Sequence, residues 1–349
     1  MKFKRFLQVT PVVALALVAA GCDKGSKELE MTYTNADGEV VEVSIAATKD
    51  AEKVADALTA IYENAQTETE FNAATIKISA DLDLEANGEA MDISGTAEFA
   101  GKLPNYTDDT TVMELFSGSN LYADLDLDFN VALGEELGEY EGAIDVQLYS
   151  DTDNYYVNIA DLSGFEEMGM PSVVGKYKFG KEMLIGMLES ELDEETAAML
   201  NSTMGDIMSS VTVPEEMPSL DDMLAESGMT LEQIVEMLGI EITKVKGDVV
   251  TFKINMAGAA AQEAGIEADL PLLISLNTKN MTVTNIKLNA TDYVDDYAKE
   301  VAEDGKCDSC VFEIEISYTA DIPTVKDADK YTSIEDMMSG MGGEIATIA

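Results

Sequence analysis

Alternation of apolar and polar side chains dominates long stretches of this chain. Ile76, Ile78, Ala80, Leu82 and Leu84 alternate with Lys77, Ser79, Asp81 and Asp83. After Asn87-Gly88, Met91, Ile93, Gly95, Ala97 and Phe99 alternate with Asp92, Ser94, Thr96 and Glu98. Two period-2 runs around Asn-Gly predict a β-hairpin with a tight turn. The longest run sets Leu121, Ala123, Leu125, Leu127, Phe129 and Val131 against Tyr122, Asp124, Asp126, Asp128 and Asn130. Ile144, Val146 and Leu148 follow, then Tyr155, Val157 and Ile159. Further strands are expected around Val250–Met256, Leu272–Leu276, Met281–Leu288 and Phe312–Tyr318. One apolar and one acidic face per strand is the signature of an antiparallel sheet packed on one side and wet on the other.

Helical spacing interrupts the alternation. Residues 30–45 read as a short hairpin around Asp37-Gly38, and Lys49–Gln66 as a helix, with Val54, Leu58, Ile61 and Tyr62 on one face and Thr48 or Asp50 as its cap. From Gly164 to Gly239 the expectation is a helical block. It holds eleven of the twenty methionines, and Pro214 and Pro218 break it. Thr230 with Gln233 predicts a capping box opening Leu231–Leu238. A short helix is expected over Asp292–Glu303, and the pattern fades after Pro323.

Charge changes the picture next. The formal net charge is −47, with no His and no Trp. Without His there is no imidazole base for a serine or cysteine nucleophile, and no imidazole metal ligand. Arg5 is the only arginine, so little remains to clamp phosphate. Nucleic acid is thereby excluded as a partner, because its affinity rests on Lys/Arg contacts to phosphate. Neither a nucleophile elbow, a phosphate loop nor a metal helix is present; no catalytic residue, cofactor or metal is expected.

The first residues supply an address. Lys2, Lys4 and Arg5 precede the apolar run Val9–Ala20, and Ala19-Ala20-Gly21-Cys22 closes it. A charged start, a short apolar run and small residues at a cleavage site make a secretory signal, too short to span a bilayer. Gly21-Cys22 resembles the lipobox of bacterial lipoproteins, which implies lipidation at Cys22 and a chain held on the extracytoplasmic side of the cell membrane. Residues 1–21 would then be the signal peptide and 22–29 a tether.

Lipobox, first helix, alternating runs and Met-rich helices between strand blocks together resemble the bacterial lipoproteins built as an incomplete β-barrel, such as the carrier LolA and the mycobacterial LppX type. The resemblance implies an α+β fold: a curved antiparallel half-barrel over residues 30–322, covered on its concave face by a helical lid at 164–239, with a tail at 323–349. It also implies an apolar cavity for a lipid or other hydrophobic ligand. Candidate lining residues are Ile78, Leu82, Ile93, Leu125, Leu127, Phe252 and Ile254 on the sheet. From the helices come Met187, Leu188, Met204, Ile207, Leu224, Ile234 and Leu238. The methionines suit either core packing or a re-packing lid. The alternative to a carrier is a non-enzymatic surface interaction protein with a filled core.

Two clusters remain. Cys307-Asp308-Ser309-Cys310 has redox spacing but leads into a strand among acids, so a structural disulfide between Cys307 and Cys310 is expected outside the cytoplasm. Asp124, Asp126 and Asp128 share a strand face with Asp81 and Asp83 plausible neighbours; a solvated outer face is favoured over a weak Ca²⁺ site.

Overall fold

A computed structural model describes residues 28–35, 38–64, 73–102, 114, 117–132, 138–164, 173–184, 186, 224, 228–256, 269–318 and 322–340. These fall into two compact units. The first lies within Met1–Glu70, Ala80–Ala90 and Val213–Ile316, the second within Phe71–Ser79, Met91–Thr212 and Ser317–Ala349.

The first unit begins with the antiparallel hairpin β1 (Leu29–Thr34) and β2 (Val40–Ile45), in register from Leu29↔Ile45 to Thr34↔Val40. Helix α1 (Ala51–Glu63) follows, and Asp50 caps it by accepting the Lys53 N–H at 3.4 Å. Thr48 forms instead a reciprocal bridge with Ile242, both bonds at 2.8 Å. Helix α2 (Leu231–Leu238) opens with the expected capping box of Thr230 and Gln233 and closes on Gly239 in the left-handed conformation. An antiparallel meander completes the unit: β9 (Glu241–Lys246), β10 (Val249–Asn255), β11 (Pro271–Asn277), β12 (Thr282–Asn289) and β13 (Lys306–Ser317), with α3 (Thr291–Val301) between the last two. Val54, Ala57, Leu58 and Ile61 of α1 and Val235 of α2 share one core with Val43 and Ile45 of β2 and with Val245, Val250, Phe252, Ile254 and Ile274 of the meander. Period 3.6 on the helices and period 2 on the strands thus supply the two sides of one apolar layer.

The described residues of the second unit are mostly strand. β5 (Asn120–Ala132), β6 (Glu139–Ser150), β7 (Asn154–Leu162) and β8 (Gly175–Gly180) pair antiparallel in sequence order. A two-residue strand β14 (Thr332–Ser333) lies parallel to β8, preceded by a 3₁₀ turn (Ala328–Lys330) and followed by α4 (Ile334–Gly340). β3 (Ala73–Ala86) and β4 (Glu89–Lys102) contribute to both units. Their turn, Asn87-Gly88, has φ of 57° and 77°, the doubly left-handed geometry that Asn-Gly favours in a tight hairpin. Strand order in the large sheet is β14-β8-β7-β6-β5-β4-β3-β13-β12-β11-β10-β9. Gly142 on β6 has no room for a side chain: a Cβ there would sit 2.3 Å from the Ser163 carbonyl oxygen and 2.7 Å from the Phe129 ring.

This architecture corrects the expected fold. Among the described residues the chain is mostly β, with a twelve-stranded sheet and few helices, and not a half-barrel covered by a helical lid. Part of the expected helical block is strand, since β8 occupies Gly175–Gly180. At its other end α2 packs into the first unit's core with α1. Most of the block between, with Met187, Leu188, Met204 and Ile207, lies outside the described residues, as does Cys22. The stretch after Pro323 is also more ordered than expected, carrying the 3₁₀ turn, β14 and α4.

Candidate functional site

The most developed polar surface lies in the second unit, where β5, β6 and β7 align three cross-strand rows. Tyr122 faces Tyr149, which faces Tyr156; Asp124 faces Gln147, which faces Asn158; Asp126 faces Asp145, which faces Asp161. A register shift in β7 after Ile159 is what brings Asp161 opposite Asp145. Period 2 sends these side chains to the face opposite Leu125 and Leu127.

The middle row is tied together by hydrogen bonds. Tyr122 Oη donates to Asp124 Oδ2 at 2.8 Å, and Gln147 Nε2 donates to the same oxygen at 3.3 Å. Tyr149 Oη and Asn158 Nδ2 both donate to Gln147 Oε1, each at 3.2 Å. The Tyr122 and Tyr149 rings lie 5.2 Å apart, tilted by 50°. Burial, then the Asp124 carboxylate, pushes the Tyr122 phenol far above its usual range, so it remains a donor. Burial also raises Asp145, and Asp126, Asp124 and Asp161 add to the rise. Like charges directly opposite on neighbouring strands destabilise a sheet, so the acidic row holds charge that the fold does not need. Chemically the face offers fixed acceptors, two phenols in tilted ring contact and negative potential. Among the described residues no group of three or more Cys, Asp or Glu is placed to hold a metal ion. Asp81, expected as a possible neighbour of the acidic strand face, instead accepts the Ser309 hydroxyl at 2.5 Å within the first unit.

At the end of the same unit sits a group the alternation does not reveal. Lys181 is 4% exposed. Its ammonium donates to the carbonyls of Ser119 at 2.7 Å and Ser117 at 3.2 Å and lies 5.3 Å from the Tyr155 ring centroid. Its own N–H donates to the Asp153 carbonyl at 2.8 Å. One lysine thereby joins the entry to β5, the β6–β7 turn and the exit from β8. Burial pulls its pKa below the ordinary range, against the pull of Asp151 and Asp153.

The expected ligand-lining residues that are described fall in both units. Phe252 and Ile254, each 2% exposed, are buried in the first unit's core, with Leu224 and Leu238 packed against it, and Ile234 of α2 is buried. Ile78, Ile93, Leu125 and Leu127 belong to the second unit, half-buried except Leu125, which is 36% exposed. Leu82 is half-buried on β3. The first group fills a core; the second decorates a sheet face.

The cysteines differ from expectation as well. Cys307 and Cys310 are both free thiols. They lie three residues apart in the continuous strand β13, where extended chain separates their Cα atoms by about 10 Å. A disulfide needs less than about 7 Å. Cys307 is buried, and burial, then Cys310 and Asp295, pushes its pKa up to about 11. Such a thiol is unreactive. Among the described residues no helix is long and apolar enough to cross a membrane. No family model and no curated protein matches the chain.

Proposed function

We propose that this is an extracytoplasmic, lipid-tethered, non-enzymatic interaction protein, with the polar face of β5–β7 as its recognition surface and Cys22 as its anchor to the cell membrane. The observation that carries the reading is the placement of Phe252, Ile254, Leu224 and Leu238. They belong to one apolar cluster with α1, which favours reading the first unit as a filled support. The second unit, by contrast, holds out an ordered network of Tyr122, Asp124, Gln147, Tyr149 and Asn158. Interaction surfaces gain from such pre-organisation because fewer side chains must be ordered on binding. The negative charge of the chain works against self-association and against anionic lipid, which leaves the anchor to the acyl chains that Gly21-Cys22 implies.

A second reading, a carrier for a hydrophobic ligand, draws on Leu125 and Phe99, which leave apolar surface open on β5 and β4. Native mass spectrometry of the protein purified from its own membrane, combined with titration of a fluorescent fatty acid, separates the two. A mature chain with acyl groups on Cys22 and no further lipid supports the interaction protein. A stoichiometric non-covalent lipid, displaced by the fatty acid, overturns it in favour of the carrier. Cys22→Ala should leave the leader uncut or release the protein from the membrane.

A further inference from the structure

The outer flank of β8 is closed in an unusual way. Its inner flank pairs with β7 along its full length, from Asn154↔Gly180 to Ile159↔Gly175. On the outer flank, among the described residues, stands β14, parallel and two residues long, with Thr332 opposite Tyr177 and Ser333 opposite Lys178. So short a ladder supplies little, and parallel pairing is the slightly weaker kind. Side chains hold this segment instead. Tyr331 is buried, edge-on to the Tyr156 ring at 5.3 Å, with the Lys176 ammonium 5.4 Å from its centroid. Glu335 Oε1 accepts the Gly180 N–H at 2.9 Å, and its Oε2 accepts the Ser333 hydroxyl at 2.7 Å. Gly180 leaves the room: a Cβ there would lie 3.3 Å from that Glu335 oxygen.

Charge completes the match. In a chain of net charge −47, β8 carries two lysines, Lys176 and Lys178. The segment against it carries Asp327, Asp329, Glu335 and Asp336. Lys178 contributes to holding Glu335 below the usual carboxylate range, after its hydrogen bonds from Ser333 and Gly180, and Lys176 does the same for Asp327 after Lys330.

We infer that residues 327–340 are a displaceable strap occupying a strand-docking edge on β8. The edge fits an acidic segment of another protein that carries an aromatic residue, two extended residues after it and, four positions on from the aromatic, a carboxylate in the first turn of a helix. The aromatic takes the place of Tyr331 between Tyr156 and Lys176, and the carboxylate takes the place of Glu335 on the Gly180 N–H. Strand addition of this kind draws affinity from main-chain hydrogen bonds and selectivity from alternate side chains. The chain's own strap also shields an edge that would otherwise pair indiscriminately. This inference stands independently of the lipid anchor; it shares Tyr156 with the β5–β7 face.

The test uses the full chain and a fluorescein-labelled synthetic peptide of residues 326–340. Tyr331→Ala combined with Glu335→Ala should loosen the strap. The peptide should bind this variant at least tenfold more tightly than it binds the parent, and Lys176→Glu with Lys178→Glu should abolish that binding. A folded loosened variant that takes up no peptide overturns the proposal, as does binding that survives both lysine reversals. Hydrogen exchange on the parent protein covers the case in which the loosened variant fails to fold. Amides of Thr332–Glu335 exchanging at least tenfold faster than those of β6 and β7 support a strap that opens by itself. Equal rates mean that the segment leaves only on global unfolding, and the proposal falls.

Discussion

Asp145 lies directly opposite Asp126 on one neighbouring strand and Asp161 on the other, so three carboxylates form one row across β5, β6 and β7. Burial and these neighbours raise the Asp145 pKa. A carboxyl with a raised pKa binds its proton more tightly in the folded state than in the unfolded one. Stability from this group is therefore greatest below its unfolded pKa and falls as pH rises through the folded value. Asp145→Asn should raise stability at neutral pH by a few tenths to about 1 kcal/mol, the range of cross-strand charge pairs on a wet face. The gain should vanish as pH falls below the ordinary Asp range of about 3.9. Denaturant titrations of both proteins across pH 3–8 check this; a gain independent of pH would mean that charge is not the cause.

Lys181 should be a structural keystone of the second unit. Lys181→Met keeps most of the stem but withdraws the donor from the Ser117 and Ser119 carbonyls. The expected loss is about 1–3 kcal/mol, the cost of removing one partner of a buried hydrogen bond. Chemical unfolding followed by tyrosine fluorescence measures it, and a neutral result would place the ammonium in water.

Ile254 and Leu125 both occupy apolar positions of alternating strands and should respond differently to truncation. Ile254→Ala opens a cavity in the first unit's core and should cost about 2–5 kcal/mol. Leu125→Ala removes a side chain already 36% exposed and should cost less than about 1 kcal/mol. Similar large losses would mean that the sheet face around Leu125 is covered.

Gly142→Ala forces a methyl against the Ser163 carbonyl and the Phe129 ring. Overpacking of this kind costs about 1–3 kcal/mol. Adding Phe129→Leu should recover part of the loss, because the smaller side chain frees one of the two clashes. Thermal unfolding of the two variants is the readout.

Both cysteines of β13 should react with iodoacetamide in denaturant without any reductant. In the native protein Cys307 should resist alkylation at neutral pH, being buried with its pKa pushed up to about 11. Two alkylated thiols by mass spectrometry match the structure. A chain two mass units lighter and unlabelled carries the disulfide that the strand geometry argues against.

Much of the local architecture can be read directly from residues. The β3–β4 hairpin follows from alternation around Asn87-Gly88, since only a doubly left-handed turn suits two residues between twisted strands. Helix α1 and the Thr230–Gln233 capping box follow from spacing within one or two turns. β8 is less legible. Gly-Lys-Tyr-Lys-Phe-Gly is short and Gly-bounded, and its strand character comes from β7, a partner fixed only when the sheet assembles. Cys307 and Cys310 show the same limit. Their spacing suits a turn, but both lie inside β13, which stands between β3 and β12 in the sheet and runs extended through them.

The amino-acid order therefore determined the period of each element, its caps, its tight turns and the acidic character of one strand face, because all of these arise from neighbours a few residues apart. Tertiary structure alone decided which apolar faces are closed. Ile254 and Leu125 carry the same pattern, but α1 packs into the core that holds the first, while the second stays partly open. It also decided that Asp126, Asp145 and Asp161 share a row and that the segment after Pro323 docks on β8. Burial and register depend on what crosses a strand from far along the chain, and alternation, being local, carries no record of that partner.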